Sequence, residues 1–351
     1  MGKCINCGRE SSVISKSIGV CAGCIREDFS SVRSHIQNIH SSSRIEFALP
    51  PEPPGGGEVK CNICVNECEI YKDGSGYCGL RKNRNGKLEH IAGTPENGFV
   101  SWYYDSLPTN CVADCVCAGH NATGYKNLAV FYHSCSFNCL FCQNWNYREK
   151  FRGKGISSRE LAERVDERTF CICYFGGDPT PQLPHALEAS RLAIAKRRVR
   201  ICWETNGCMD RRYLEEMIKL SVESGGCIKF DLKFYTENLN IALCGVSNKR
   251  TLENFSFAAS VVKNREEPYL VASTLLVPGY VDREEVFKIA TFIAGLNPEI
   301  PYSLLGFYPC FYMNDLPCTS RSHALSCFQA AKEAGLKNVH LGNLHLLGEE
   351  Y

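Results

Sequence analysis

The sequence predicts an α/β fold in which a partial barrel of six βα units follows small cysteine-rich modules. Two observations lead to this prediction. From residue 128 to residue 351, short β-branched or aromatic runs alternate with segments whose apolar residues recur every three or four positions, which is typical of parallel strands joined by helices. Before residue 128, cysteines occur in closely spaced groups that are typical of metal sites. We therefore expect one large domain preceded by metal-binding modules.

Six repeats supply the strands and helices of the predicted barrel. The predicted strands cover residues 128–133, 170–175, 199–204, 227–234, 269–277 and 302–307. The predicted helices cover residues 158–167, 184–196, 210–223, 251–263, 282–294 and 322–334. Polar residues gather just after the strand ends, where barrels of parallel strands carry their functional groups.

Several classes of protein are excluded by the composition. The 351 residues include 39 basic and 38 acidic ones, a net charge of +1, so no overall field draws the chain to nucleic acid or to a membrane surface. No apolar run approaches the roughly 20 residues of a membrane helix, and the first residues do not resemble a secretory signal. We expect a cytoplasmic protein without nucleic-acid or membrane partners.

Cysteine is the unusual residue, with 23 in the chain. In a reducing compartment, closely spaced cysteines are metal ligands more often than disulfides. So many thiols also favour an organism that avoids oxygen. Four cysteines stand singly in apolar surroundings and are predicted to be small buried side chains: Cys202, Cys227, Cys244 and Cys327.

The first module, residues 1–29, carries two cysteine pairs about a dozen residues apart, the spacing of a zinc ribbon or a rubredoxin-like site. Its cysteines are Cys4, Cys7, Cys21 and Cys24. Four thiolates complete the tetrahedral shell of zinc or iron, so this site is structural or passes electrons.

Residues 30–60 are predicted to be a linker, because a serine-rich stretch leads into the proline- and glycine-rich run 50–57.

A second module, residues 61–100, has another complete set of four thiols. They are Cys61, Cys64, Cys68 and Cys78. A mononuclear zinc or iron site is the preferred interpretation, with a second iron–sulfur cluster as the alternative.

Residues 101–127 form a connector with three further thiols, Cys111, Cys115 and Cys117. Together with His120 they predict either a metal site or a group of free thiols, and the spacing favours neither.

The central motif is a loop with three cysteines directly after the first barrel strand. Cys135, Cys139 and Cys142 are spaced by three and two residues. A four-iron cube held by only three thiolates keeps one iron open for another ligand. The alternative is a zinc knuckle, for which His133 would be the fourth ligand.

This cysteine spacing resembles the radical S-adenosylmethionine (SAM) superfamily. The resemblance implies that Cys135, Cys139 and Cys142 hold a [4Fe-4S] cluster whose open iron binds SAM, and that SAM is cleaved reductively to a 5'-deoxyadenosyl radical. Gly176, Gly177 and Asp178, followed by proline, resemble the family's Gly-Gly-Glu-Pro motif, which binds the amino group of SAM. Asp replaces Glu here.

Two further motifs resemble those of glycyl-radical-enzyme activases. Glu204, Thr205 and Asn206 begin a Glu-Thr-Asn-Gly segment, and Asp231 and Lys233 end an Asp-Leu-Lys segment. The resemblance implies that the acidic side chains and the threonine hold sodium or potassium near Asp231, and that the lysine pairs with the carboxylate of SAM. The alternative is a salt bridge within a buried strand.

Residues 61–345 resemble most closely the radical SAM proteins encoded in a three-gene set with Memo-like and AMMECR-like proteins. The shared segments are residues 139–145, Cys-Leu-Phe-Cys-Gln-Asn-Trp, and residues 307–317, Phe-Tyr-Pro-Cys-Phe-Tyr-Met-Asn-Asp-Leu-Pro. Two features depart from that family. Tyr308 stands where histidine is usual, and the cysteines of the connector replace a charged stretch.

These resemblances imply hydrogen abstraction from a C–H bond, a backbone Cα in the activases, of a protein or peptide substrate, with an electron donor such as ferredoxin or flavodoxin. One alternative is a radical SAM methyltransferase that uses cobalamin, although no cobalamin motif is present. The other is a radical enzyme that makes a small molecule or a cofactor.

Overall fold

The computed structural model describes residues 1–109, 111–149, 155–261 and 267–351. The strands are β1 Gly2–Lys3, β2 Glu10–Ser11, β3 Val59–Lys60, β4 Glu69–Ile70, β5 Arg81–Arg84, β6 Lys87–His90, β7 Val100–Ser106, β8 Lys126–Tyr132, β9 Thr169–Gly176, β10 Arg200–Thr205, β11 Ile228–Asp231, β12 Leu270–Leu276, β13 Tyr302–Gly306 and β14 Val339–Gly342. The α-helices are α1 Ala22–Glu27, α2 Phe29–Ile45, α3 Ser158–Ala162, α4 Leu183–Lys196, α5 Arg211–Ser224, α6 Glu237–Cys244, α7 Lys249–Val261, α8 Arg283–Leu296 and α9 Arg321–Glu333.

The central feature is an eight-stranded sheet in the order β14-β13-β12-β11-β10-β9-β8-β7. Strands β8 to β14 run parallel, and β7 pairs with β8 in the antiparallel sense. The order is linear, with β14 and β7 at the two edges, as in a partial barrel. The predicted α/β fold is confirmed, and the six predicted strands correspond to β8–β13.

The helices between the strands agree with the predicted segments in most cases. The six predicted helices correspond to α3, α4, α5, α7, α8 and α9. Helix α3 is shorter than predicted and ends at Ala162, and positions 262 and 263 of the predicted helix 251–263 lie outside the described residues. Helix α6 and strand β14 were not predicted, because each is too short to show a clear period.

Alternation along the strands separates two faces of the sheet. On the outer face, Tyr174 of β9 stacks on Trp203 of β10 with ring centroids 4.6 Å apart. The Trp203 indole nitrogen donates to the Ser221 hydroxyl of α5 at 3.0 Å, so this face packs on the helices. The inner face carries polar and thiol side chains instead, among them Glu204 and Lys229, whose charged atoms lie 2.8 Å apart.

The linker prediction for residues 30–60 is wrong in its first half. Residues 29–45 form α2, a helix of 17 residues whose side chains Val32 and Ile36 are buried against the core. The Asp28 carboxylate caps the helix by accepting from the Ser31 backbone N–H. Serines at the exposed positions make the three-and-four spacing of the apolar residues hard to recognise in the sequence. Residues 50–57 contain neither helix nor strand, as predicted.

The small cysteine modules pack on the barrel through specific contacts. In the first module, the guanidinium of Arg26 makes two hydrogen bonds to the carboxylate of Asp282, at 2.8 and 2.9 Å. The Ser15 hydroxyl donates to Asp315 at 2.8 Å. At the other end of the barrel, the Ser303 hydroxyl of β13 donates to the Val112 carbonyl of the connector at 2.9 Å.

Within the described parts of the chain, no helix combines the length and the apolar character needed to cross a bilayer.

Candidate active site and accessory cysteine sites

The loop with Cys135, Cys139 and Cys142 follows the carboxyl end of β8 and is fixed by backbone hydrogen bonds to two other segments. Asn138 N–H donates to the Cys244 carbonyl at 2.8 Å, and Leu140 N–H donates to the Leu243 carbonyl at 2.9 Å. The Leu140 carbonyl accepts from Tyr312 N–H at 3.0 Å. The loop is therefore held by the end of α6 and by the segment after β13.

Asn138 is the buried centre of this loop. Its amide nitrogen donates to His40 Nδ1 at 2.8 Å and to the Ser43 hydroxyl at 2.9 Å, both in α2. Its amide oxygen accepts from the Arg148 guanidinium at 2.7 Å. A helix within the predicted linker thus supports the cysteine loop directly, and no local sequence pattern indicates this contact.

The three thiols of the loop suit an iron–sulfur cluster better than a zinc ion. Among the described residues, only the first module has three or more ligand atoms all within 4.8 Å of one another. The loop thiols are thus spread wider than in a tetrahedral zinc site, where sulfurs lie about 3.8 Å apart for a Zn–S bond of about 2.3 Å. His133, the fourth ligand of the zinc alternative, has its Nε2 2.7 Å from the Ser101 hydroxyl.

Cluster binding also requires that the thiols lose their protons. Burial raises the pKa of the Cys142 thiol to about 11 and holds that of Cys135 well above its usual value. The Cys135 sulfur lies 3.3 Å from Phe137 N–H and 3.8 Å from the Asn206 amide nitrogen, and both can donate to it. The loop therefore already holds two donors that can stabilise a thiolate on Cys135.

Gly176 and Gly177 bring the end of β9 close to the start of the cysteine loop. Gly177 N–H donates to the Tyr132 carbonyl at 2.9 Å. A Cβ atom on Gly177 would lie 2.2 Å from the Ser134 carbonyl oxygen, and Gly176 has φ of +110°. Only glycine permits both features, so these residues set the distance between the two strand ends.

Asp178 is buried and joins the end of β9 to the end of β10. Its carboxylate accepts from Asn206 N–H at 2.7 Å, from Thr180 N–H at 2.8 Å and from the Thr205 hydroxyl at 3.1 Å. Burial raises the pKa of this carboxyl group, and these hydrogen bonds oppose the rise. The side chain is thus engaged within the protein, and its contact with the amino group of SAM stays a prediction.

The acidic residues of the predicted cation site each have a lysine partner. Glu204 Oε1 lies 2.8 Å from Lys229 Nζ, and Asp231 Oδ2 lies 3.0 Å from Lys233 Nζ. The Thr205 hydroxyl faces Asp178 instead. The salt-bridge alternative describes what is observed, and a sodium or potassium ion near Asp231 stays a prediction. Lys229 was not singled out from the sequence, because its neighbours come from distant strands.

The two segments that carry the closest family resemblance meet beside the cysteine loop. Trp145 stacks on Phe311 with ring centroids 5.6 Å apart and an angle of 17° between the rings. Phe311 has φ of +50°, an uncommon conformation for a bulky residue. Tyr308, on the same segment, is exposed. Aromatic side chains therefore form one wall next to the loop.

The first module brings its four predicted ligands together. Cys4 Sγ lies 3.7 Å from Cys24 Sγ, and Cys7 Sγ lies 3.8 Å from Cys21 Sγ. All four sulfurs lie within 4.8 Å of one another, close to the edge of about 3.8 Å expected for a tetrahedral thiolate site. This arrangement fits a single zinc or iron ion.

The second module also brings its predicted ligands to one place. Its four thiols, those of Cys61, Cys64, Cys68 and Cys78, line a small cavity of about 10 Å³. The Asn66 amide nitrogen lies 3.6 Å from the Cys64 sulfur and donates to the Ser136 carbonyl at 2.8 Å. The second module therefore contacts the cysteine loop. Among the described residues, its thiols do not form a group within 4.8 Å of one another, and this wide spacing favours the iron–sulfur alternative.

The connector does not bring its predicted set together. His120 pairs with Asp114 at 3.0 Å on the exposed side, and Cys115 is exposed. Cys111 lies inside the barrel, where its sulfur accepts from the Lys229 ammonium at 3.2 Å.

Comparison with known proteins agrees with this geometry. Residues 129–293 match the family model of the radical SAM superfamily. The chain therefore carries a radical SAM domain, and this family implies a [4Fe-4S] cluster and SAM. The matched segment begins in β8 and includes the cysteine loop and the ends of β9, β10 and β11.

Relatives point to a narrower group. An uncharacterized protein of Methanocaldococcus jannaschii is 26% identical over 82% of each chain. A protein of the same organism, named as a candidate glycyl-radical enzyme activating enzyme, is 29% identical over 54% of this chain and 69% of its own. The pyruvate formate-lyase 1-activating enzyme of Escherichia coli K12 is 27% identical over 50% of this chain and 74% of its own. The resemblance to activating enzymes seen in the sequence is confirmed.

Proposed function

We propose that this radical SAM enzyme removes a hydrogen atom from a backbone Cα of a protein or peptide substrate. The observation that carries the proposal is the convergence of three strand ends on one loop. Asn206 donates to Ser136 of the cysteine loop and to the carboxylate of Asp178. The similarity to glycyl-radical enzyme activating enzymes supports the choice of substrate class.

Each part of the site has a role in this proposal. When bound, the cluster and SAM supply reductive cleavage of a carbon–sulfur bond and a radical that takes hydrogen from the substrate. Cys135, Cys139 and Cys142 would hold the cluster. Lys233 would pair with the carboxylate of SAM. Burial lowers the pKa of Lys233, but the nearby Asp231 and Cys139 side chains hold it well above its usual value.

The aromatic wall supports a substrate larger than a metabolite. Trp145 and Phe311 stack beside the loop, and Tyr308 is 56% exposed. Aromatic residues are frequent anchors for protein and peptide ligands because they offer a large contact area. A peptide strand or loop would place its backbone Cα next to the cluster, and ferredoxin or flavodoxin would supply the electron.

The first test is anaerobic turnover with dithionite and SAM. We expect 5'-deoxyadenosine from the wild type and from Cys327→Ala, a buried cysteine of α9 outside every proposed site. We expect none from Cys142→Ala. A wild type that holds its iron but yields no 5'-deoxyadenosine would contradict the proposal.

The second test identifies the product. Incubation with candidate partner proteins and electron paramagnetic resonance should give a glycyl-radical signal on the partner. A product heavier by one methyl group, together with one bound cobalamin per chain, would replace this proposal with the methyltransferase alternative. Hydrogen transfer from a small molecule only would favour a radical enzyme of cofactor synthesis.

A further inference from the structure

A second group of thiols lies inside the barrel, near the amino ends of the strands. Cys202 of β10 is in register with Cys173 of β9. Trp203 is in register with Ile228, which sets Cys202 opposite Cys227. The prediction that Cys202 and Cys227 stand alone among apolar residues is therefore wrong, since both take part in a row of thiols.

The connector adds two more thiols to this row. Four thiols pack in one buried group with Ala113 and Val271, and they belong to Cys111, Cys117, Cys202 and Cys227. The Val112 carbonyl is hydrogen-bonded to Ser303, which holds the connector across this end of the barrel. Sequence spacing did not reveal the group, because two thiols come from the connector, whereas Cys202 of β10 and Cys227, just before β11, lie 85 to 116 residues further along the chain.

The thiols surround a cavity of about 40 Å³, which we call the thiol chamber. Cys171 and Cys173 complete its lining. A cavity of about 10–15 Å³ holds one water molecule, so the thiol chamber, with six thiols on its wall, has room for a small bound group.

A buried ammonium group stands at one side of the thiol chamber. The Lys229 side chain is 1% exposed, and its Nζ lies 3.2 Å from Cys111 Sγ and 3.0 Å from Cys173 Sγ. Glu204 balances its charge at 2.8 Å. Iron–sulfur clusters with four thiolates are anionic, and N–H···S hydrogen bonds stabilise their ligands. Lys229 provides both a positive charge and such donors.

The distances between the sulfur atoms favour a cluster over a single metal ion. Among the described residues, the chamber thiols are not included in any group of ligand atoms that lie within 4.8 Å of one another. A mononuclear zinc site needs sulfurs about 3.8 Å apart. The wider spacing, shared with the Cys135 loop, suits a cluster of several irons.

We propose that Cys111, Cys117, Cys202 and Cys227 bind an iron–sulfur cluster in the thiol chamber. This site is separate from the SAM site. Cys202 of β10 and Asn206, the residue after β10, are four residues apart, about 13 Å along the strand direction, and Asn206 contacts the Cys135 sulfur. The chamber cluster therefore lies at the opposite end of the same strand, and its binding does not depend on the proposed function.

The test counts iron and acid-labile sulfide in the full chain after anaerobic reconstitution. The parent carries Cys135→Ala, Cys139→Ala and Cys142→Ala, so that the catalytic cluster is absent. Adding Cys202→Ala and Cys227→Ala should remove a further four irons and four sulfides per chain, or about that many, whereas adding Cys327→Ala should remove none. Equal iron and sulfide contents in the parent and in the variant that adds Cys202→Ala and Cys227→Ala would overturn the proposal. A loss of iron without sulfide would overturn it too, because a single ion carries no sulfide.

Two further measurements keep the result independent of folding defects. Cys111→Ala with Cys117→Ala changes only the connector and should cause the same loss with unchanged far-ultraviolet circular dichroism. In the unmutated protein, Cys111 and Cys117 are both partly exposed. They should resist alkylation after reconstitution and react once the iron is chelated, as read by mass spectrometry. Equal alkylation in both states would contradict the proposal.

Discussion

At the scale of single residues, Asp178 joins two strand ends through one buried carboxylate. Three donors from β10 and from the turn after β9 converge on it. A buried donor that loses its acceptor costs about 1–3 kcal/mol. Asp178 therefore positions Asn206, whose amide nitrogen donates to the Ser136 hydroxyl of the cysteine loop.

We expect Asp178→Ala to lower the free energy of unfolding by about 3 kcal/mol, because three donors lose their acceptor in a buried position. SAM binding, measured by isothermal titration calorimetry on the reconstituted protein, should weaken as well. Glu188→Gln, a change of a half-exposed carboxylate on α4, serves as the control and should leave both quantities unchanged. Wild-type stability in Asp178→Ala would show that the carboxylate does not hold the strand ends.

His185 gives a pH dependence with a definite sign. Its Nδ1 accepts from the Tyr132 hydroxyl at 2.8 Å and its Nε2 lies 3.0 Å from the Ile156 carbonyl, so the neutral ring satisfies both partners. Burial lowers the pKa of His185 to about 4. A lowered pKa means that the unfolded chain binds the proton first, so this stability is complete above about pH 6.5 and is lost as the pH falls towards 4.

Between pH 7 and pH 5, His185 should account for a loss of about 2 kcal/mol in the free energy of unfolding. The measurement is urea unfolding at both pH values for the wild type, for His185→Gln and for the exposed control His345→Gln. The loss should shrink in His185→Gln and persist in His345→Gln. The same pH dependence in all three proteins would assign the effect to other groups.

Local spacing explains which site residues were predictable. Cys135, Cys139 and Cys142 lie in one loop, so three ligands of a cluster can be read from a short segment. Two partners of Asn138 lie about 100 positions away in α2, and those of Lys229 lie on β9, β10 and the connector. Contacts between distant segments depend on the fold and leave no local pattern.

At the scale of elements, α2 shows how a polar helix can be structurally important. Phe29, Val32 and Ile36 recur at spacings of three and four and are buried, while serines occupy much of the rest. The exposed serines led to the linker prediction, because serine also favours loops. Strand β7 was missed for a related reason, since its residues are mostly exposed or half-exposed and lack a buried face.

Ile36→Ala should lower the free energy of unfolding by about 3 kcal/mol, the usual range for removing a buried branched side chain. The cysteine loop should also lose its cluster faster in air, because α2 supports Asn138. The measurements are urea unfolding and the decay of the cluster absorbance. Ser34→Ala on the exposed side of the same helix should change stability by less than about 0.5 kcal/mol. Two variants of equal stability would mean that α2 does not pack on the barrel.

At the scale of the whole molecule, cysteine modules contact the barrel at both of its ends. The second module contacts the cysteine loop through Asn66, while the connector covers the thiol chamber. The first module reaches the start of α8 through Arg26. The barrel strands could be predicted from their periodicity, but these docking contacts could not, because each joins side chains that are far apart in the sequence.

The docking of the first module depends on Arg26 and Asp282. The Arg26 side chain is 17% exposed and that of Asp282 is 41% exposed, so solvent weakens the pair, but two parallel hydrogen bonds restore part of its strength. A double-mutant cycle with Arg26→Met and Asp282→Asn should give a coupling free energy of about 1–2 kcal/mol. Asn at position 282 keeps a side chain that can cap α8.

The comparison pair is Lys288 and Glu284, which lie one turn apart on α8 with 2.6 Å between charged atoms. Its coupling, measured by urea unfolding of the same four-variant design, should be only about 0.3–0.5 kcal/mol, since both side chains are exposed on one helix. The difference between the two cycles measures how firmly the first module is attached. A coupling at Arg26 no larger than that at Lys288 would mean that the metal site and the barrel fold without supporting each other.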